Sequence, residues 1–351
     1  MGFALLIILH EAGHFTAAKA VGMRVERFSL FFPPLLFKVR RGETEYAIGS
    51  IPLGGYVRIT GMNPTEEIPP EHQDRAYFRM PVWKRVVVIS AGPLVNLVIA
   101  FVIFAGIFAI HGTFQTSNAV AKGGLKPPAL GTLHPGDKII AIDGRQGGVE
   151  AIRTGIQRHR CAGAPRQGCV ATTPARLLID RNGQRQTLLV RPRYDAPSKR
   201  MLIGFTFDGN YVKQSLGESF SLAATRSWQI SRDTVKAIAR IFYSSKARND
   251  VSGVVGSYEV TQQSFGFDTT QALLVLGIIS LSLAVVNLFP FLPLDGGHIF
   301  WAVAEKIRGR PIPFSVMERA SAIGFILVVT LFVIGLSNDI GRLRGEGFGV
   351  R

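Results

Sequence analysis

The residues most able to do chemistry begin at His10-Glu11-Ala12-Gly13-His14. On a helix, His10 and His14 stand four positions apart, so both imidazoles leave one face and can share a zinc ion. Glu11 lies about 100° further round the helix. From there its carboxylate can reach a metal-activated water and take its proton. With 7 histidines in 351 residues, chance explains this spacing poorly. The plainer alternative is a pair of buried, hydrogen-bonded histidines. The setting weakens it, because the motif continues the apolar run Gly2-Phe3-Ala4-Leu5-Leu6-Ile7-Ile8-Leu9. Ionisable groups in such a run are costly unless something there uses them.

A second set lies far along the chain, in Asn287-Leu288-Phe289-Pro290-Phe291-Leu292-Pro293-Leu294-Asp295-Gly296-Gly297-His298. Two prolines break regular helix here. Irregular backbone at membrane depth is tolerated where it lines a protein cavity. Asp295 is the acid of this hydrophobic stretch and needs a partner. Two histidines and a carboxylate, with water in the fourth place, make a catalytic zinc set. The competing role for Asp295 is to cap the turn at Gly296-Gly297. His298 is a reserve ligand, more simply explained as a buried side chain.

These residues need elements to position them, and the composition points to a membrane. The chain is 47% hydrophobic, with positive mean hydropathy. Val86–Ile110, Ala272–Leu294 and Ala320–Leu336 carry no charge. Each is near the roughly 20 residues that span a bilayer. Gly2 to Val21 reaches that length if His10, Glu11, His14 and Lys19 lie inside it. It lacks the basic start and cleavage site of a signal peptide. We therefore expect a polytopic α-helical membrane protein with about four transmembrane helices, at 1–22, 82–111, 271–295 and 315–337. Lys84 and Arg85 before the second helix, and Lys306, Arg308, Arg310 and Arg319 ahead of the apolar run Ala320–Leu336 of the fourth, mark the cytoplasmic side. The net charge of +16 then favours contact with anionic lipid over nucleic acid.

Four intervening segments follow. Residues 23–81 form a cytoplasmic loop. In it, Glu45 to Thr60 reads as strand, turn and strand, with Gly54-Gly55 in the turn. It is apolar enough for a membrane-associated β-hairpin whose edge takes a substrate segment as an added strand. In the second helix, Ser90-Ala91-Gly92-Pro93-Leu94-Val95-Asn96 lets helices approach, and Asn96 can hydrogen-bond across an interface. Residues 118–208 form an extracytoplasmic α+β unit. Its stretch Leu133-His134-Pro135-Gly136-Asp137-Lys138-Ile139-Ile140-Ala141-Ile142-Asp143-Gly144 resembles the core of a PDZ domain, which implies peptide binding by strand addition. Cys161 and Cys169 in this unit are expected to form a disulfide in an oxidising compartment. Residues 215–250 read as an amphipathic helix on the membrane surface or against that unit.

Together the H-E-x-x-H helix, the PDZ-like unit and N-x-x-P-x-x-x-L-D-G resemble the site-2 protease family in the family's own order. The resemblance implies an intramembrane zinc metalloprotease with His10, His14 and Asp295 as ligands of one Zn2+ and Glu11 as general base. It implies Asn287 contacting the substrate backbone or the developing oxyanion. Gly54, Gly55 and Pro290 are then expected at the substrate. It implies a multi-pass protein of the inner or plasma membrane, its zinc near the cytoplasmic side. The substrates implied are single-pass membrane proteins cut in regulated intramembrane proteolysis, such as anti-sigma factors or remnant signal peptides. A soluble zincin with a third histidine is excluded, because Ala17 and Ala20 occupy the required positions. A membrane zinc transporter and an inactive PDZ-bearing scaffold remain as alternatives.

Overall fold

A computed structural model describes residues 2–51, 54–63, 66–123, 125–196, 198–245, 248 and 269–344. The chain divides into two compact units, residues 1–109 with 215–351, and residues 110–214.

The first unit opens with α1 (Gly2–Ala20), followed by β1 (Val25–Ser29), β2 (Phe32–Arg41), β3 (Thr44–Ile51) and β4 (Tyr56–Ile59). These strands form one sheet in the order β2-β3-β1-β4. The strands expected between Glu45 and Thr60 are β3 and β4, but they do not pair with each other. β1 lies between them, parallel to β3 and antiparallel to β4. Ion pairs bridge β1 to both neighbours. Arg27 on β1 pairs with Glu45 on β3 at 2.7 Å, and Glu26 pairs with Arg58 on β4 at 3.0 Å. The hairpin is instead β2–β3, turning at Gly42, whose φ of 61° suits a tight two-residue loop. Of the expected turn, Pro52 and Leu53 lie outside the described residues. β2 is an edge strand with Leu36, Phe37 and Val39 exposed.

Two short 3-10 turns, Pro70–Arg75 and Tyr77–Arg79, lead into α2 (Val82–Ile110). One core joins Ala18 of α1, Val25 of β1, Ile59 of β4, Tyr77, and Val88 and Ile89 of α2. The sheet is thereby packed against the two helices that carry the motif and its support.

The second unit holds β5 (Thr113–Val120), β6 (Lys138–Ile142), β7 (Arg145–Gln146), α3 (Val149–Arg158), β8 (Ala175–Arg181), β9 (Gln184–Val190), β10 (Arg193–Asp195), β11 (Arg200–Leu202) and β12 (Phe207–Val212). Its main sheet runs β12-β5-β6-β8-β9. The Asn-Gly turn at Asn182-Gly183 closes β8–β9, with both residues at positive φ. Arg181 clamps the buried Asp137 carboxylate with two bonds of 2.8 and 2.7 Å. Cys161 and Cys169 are joined, with Cα atoms 6.2 Å apart.

The first unit resumes with α4 (Leu216–Tyr243), α5 (Thr269–Asn287), α6 (Asp295–Arg308) and α7 (Phe314–Arg344). A Ser215–Glu218 capping box starts α4. Ala223 of α4, Leu281 of α5 and Phe104 of α2 share a core. Three helices among the described residues are long and apolar enough to cross a membrane: Val82–Ile110, Thr269–Asn287 and Ser315–Gly341. The span expected over 271–295 is shorter than its apolar run. Pro290 and Pro293 end regular helix, and Asp295 opens α6 instead of closing α5. α6 is tied to α2 by a bidentate ion pair, Arg85 Nη1 and Nη2 to Glu305 at 2.9 and 2.7 Å. Arg85 is buried in this pair.

The β2–β3 turn is pinned by Glu43. Arg75 donates to it twice, at 2.7 and 2.8 Å, and Lys19 of α1 once, at 3.1 Å. The Arg75 guanidinium, helped by Lys19, holds the Glu43 carboxyl down from 4.5 to about 2. A carboxylate with a lowered folded pKa stabilises fully above its unfolded value. That stabilisation is lost as pH falls from about 4.5 through about 2. Acid titration of the unfolding temperature in detergent checks this: Glu43→Gln is expected to lose less stability than wild type between those pH values.

Candidate metal centre

α1 brings His10 and His14 to one side, one turn apart, with ring centroids 4.8 Å apart and planes nearly perpendicular. Both are buried. Asp295, at the first turn of α6, meets them. The fold places this carboxylate at a helix N-terminus, where the helix dipole favours negative charge. His10 Nε2 and His14 Nε2 are 3.2 Å apart. Asp295 Oδ2 is 3.2 Å from the first and 3.3 Å from the second. Ligands held tetrahedrally at roughly 2.0–2.2 Å from zinc are about 3.3–3.6 Å apart. The observed triangle fits that spacing. Asp295 Oδ2 is also buried without an aligned hydrogen-bond donor among the described groups. A buried carboxylate oxygen converging on two imidazole nitrogens is well matched to a cation. Among the described residues, no other trio of histidine, cysteine or acid offers such convergence.

Glu11 neighbours this triangle on α1. Gly55 packs directly against it: a Cβ on Gly55 would stand 3.1 Å from Glu11 Cγ and 2.8 Å from the Ser29 carbonyl. The entry to β4 therefore passes beside the Glu11 side chain, an approach that only glycine permits. Gly54 faces the Phe32 ring of β2 instead. Asn287 ends α5 with its Nδ2 3.5 Å from His10 Nε2, so it borders the same centre. Pro290 lies exposed in the irregular run between α5 and α6. His298 sits one turn beyond Asp295 and is not part of the converging trio.

Sequence reasoning missed most of the support, which comes from α2. His14 Nδ1 donates to the Val88 carbonyl at 2.8 Å. That bond leaves the Nε2 lone pair facing Asp295 and His10. Gly92 lies under the His14 ring, where a Cβ would collide with Nε2 itself. A Cβ on Gly13 of α1 would likewise stand 2.7 Å from the Ala91 carbonyl oxygen of α2. A side chain at either position would push the two helices apart. The small residues at 90–92 signalled close packing, but not that the His14 ring lay against them. Gly92→Ala should displace the His14 nitrogen and weaken zinc binding by at least tenfold, on the scale of lost metal-site support. Metal content after dialysis against a graded chelator measures this.

The sequence model described as Peptidase family M50 matches residues 1–331. A protein of Nostoc sp. named as a zinc metalloprotease is 31% identical over 352 residues, covering 98% of this chain and 95% of its own. One of Rhizobium meliloti with the same designation is 29% identical, covering 97% and 95%. The metalloprotease MmpA of Caulobacter vibrioides is 26% identical, covering 97% and 93%. A buried His-His-Asp triangle beside a glutamate, and a family match across nearly the whole chain, lead to one conclusion: this protein belongs to Peptidase family M50, the site-2 proteases, and is a membrane zinc metalloprotease.

Proposed function

We propose that this protein hydrolyses peptide bonds in or near the transmembrane segments of single-pass membrane proteins. The observation that carries this reading is the buried triangle of His10, His14 and Asp295, with Glu11 and Asn287 at its edge. His10 Nε2, His14 Nε2 and Asp295 Oδ2 would hold zinc. Bound there, the ion supplies Lewis acidity towards water and the scissile carbonyl. Glu11 takes the proton of the attacking water and later gives it to the leaving amine. Asn287 turns its amide donor towards the carbonyl oxygen as negative charge grows there. His14, held by Val88, and His10 keep their rings fixed throughout, so no reorganisation is needed at the moment of reaction.

A transmembrane helix hides its amide bonds and must unwind before cleavage. The Gly55 entry to β4 passes beside Glu11, and the exposed edge strand β2 of the same sheet offers backbone for strand addition. Pro290, in the non-helical run that reaches Asp295, completes the rim of the substrate site. α1 acts as a fourth membrane helix, its polar groups turned to the protein interior. The cations flanking α2 and α7 set the zinc side towards the cytoplasm. Residues 110–214 then lie outside, where the Cys161–Cys169 bond suits an oxidising compartment.

That outer unit works as a PDZ domain. A cavity of about 970 Å³ runs between α3 and the Arg200–Phe207 segment, lined by Ile156, Ile203, Phe205 and Phe207 with Arg153 and Lys126 at hand. An extended peptide fits such a groove, so the unit filters or tethers substrates in regulated intramembrane proteolysis. Anti-sigma factors and remnant signal peptides are the substrate classes that match.

Glu11→Gln tests the whole reading. The variant should keep one zinc per chain and lose about 10²–10⁴-fold in cleavage of a single-pass substrate in detergent. Membranes of cells carrying it should accumulate single-pass fragments. Unchanged cleavage by this variant, with zinc retained, would remove Glu11 from the reaction, whereas zinc binding without cleavage by the wild type itself would favour a transport or scaffolding role.

A further inference from the structure

His10 needs a fixed tautomer as much as His14 does, and the group that faces its other nitrogen is Asn96. Asn96 lies on α2, fully buried, eight residues beyond Val88 and four beyond Gly92. Its side-chain amide is 3.2 Å from His10 Nδ1. The Asn96 backbone is fixed from α5, where Ser280 Oγ donates to its carbonyl at 2.8 Å. As placed, Nδ2 faces the ring, while Oδ1 is buried without a partner among the described groups.

That orientation conflicts with the other side of the ring. A neutral imidazole carries one N–H and one lone pair. If Nδ2 donates to His10 Nδ1, the proton must sit on Nε2. Nε2 is the atom 3.2 Å from both His14 Nε2 and Asp295 Oδ2, where a lone pair is required to bind a metal. Amide O and N are nearly isosteric, so the network must choose between the two orientations. Turning the amide by 180° puts Oδ1 against His10 Nδ1–H and frees the Nε2 lone pair. In the present orientation the amide oxygen pointing away from His10 finds no donor among the described groups, so nothing on that side holds the amide this way round and the His10 contact decides.

We infer that Asn96 is a positioning residue. Its Oδ1 accepts the His10 Nδ1–H, fixing the tautomer and ring angle that present Nε2 to zinc. Val88 does the same for His14 through its backbone carbonyl. α2 thus sets both imidazoles from one helical stripe at 88, 92 and 96. The inference rests on His10 being a zinc ligand, as proposed above.

The test uses the full-length protein in detergent. In zinc-free wild type labelled with 15N-histidine, the signal lost in His10→Ala should report the Nδ1–H tautomer; an Nε2–H tautomer would overturn the inference. Zinc competition against a chelator gives a second reading. Asn96→Leu should bind zinc about 10–100-fold more weakly, while Asn96→Asp, which keeps an acceptor oxygen, should stay within about threefold of wild type by comparison. Wild-type affinity in Asn96→Leu, or equal loss in both variants, contradicts a tautomer-setting role. His10→Ala is measured alongside them. If it keeps wild-type zinc affinity, the ligand assignment itself fails; if it loses zinc while Asn96→Leu does not, the failure belongs to Asn96 alone.

Discussion

Three side-chain atoms from segments nearly 300 residues apart, His10 Nε2, His14 Nε2 and Asp295 Oδ2, converge within 3.3 Å of one another, and α1, α2 and α6 bring them together. A carboxylate and two imidazoles buried together are unfavourable without a cation or protons to share. The fold must therefore hold them against their own tendency to separate. It does so with helices whose packing is set by their own contacts. α1 sets the two histidines by helical spacing alone. α6 sets the aspartate by starting at it.

α2 is the common brace. Its first turn grips α6 through Arg85 and Glu305, which fixes the helix that carries Asp295. Two turns of the same helix face α1, with the Val88 carbonyl bonded to His14 and the Asn96 amide at His10. Glycines at 13 and 92 allow the helices to touch there. Breaking a buried ion pair of this kind typically costs about 3–5 kcal/mol. The Arg85–Glu305 pair is thus a strong restraint, although Glu305 is partly open to solvent. Stability and metal geometry are linked through one helix.

Much of this was legible in the sequence, and the reasons differ by element. The H-E-x-x-H pair needs no long-range information, because helical periodicity alone puts both rings on one face. Asp295 was legible as an acid in an apolar run. The two prolines before it revealed irregular backbone, but not that a new helix would begin at Asp295. The sheet was half legible. Aromatic and β-branched residues either side of the Pro and Gly-Gly turn marked β3 and β4, while β1 was invisible as their shared neighbour, since strand order depends on contacts between distant residues such as Arg27 with Glu45. The role of α2 was least legible. A backbone carbonyl has no sequence signature, and a glycine under an imidazole looks like any other helix-packing glycine.

The central claim is that zinc sits among His10, His14 and Asp295, and X-ray absorption at the zinc edge addresses it directly. Purified protein loaded with one equivalent of zinc should show only nitrogen and oxygen neighbours at about 2.0–2.2 Å, with the multiple-scattering signature of two imidazoles. Asp295→Ala should lose an oxygen neighbour and bind zinc more weakly. A sulfur neighbour at about 2.3 Å, or a spectrum and affinity unchanged in Asp295→Ala, would contradict the claim.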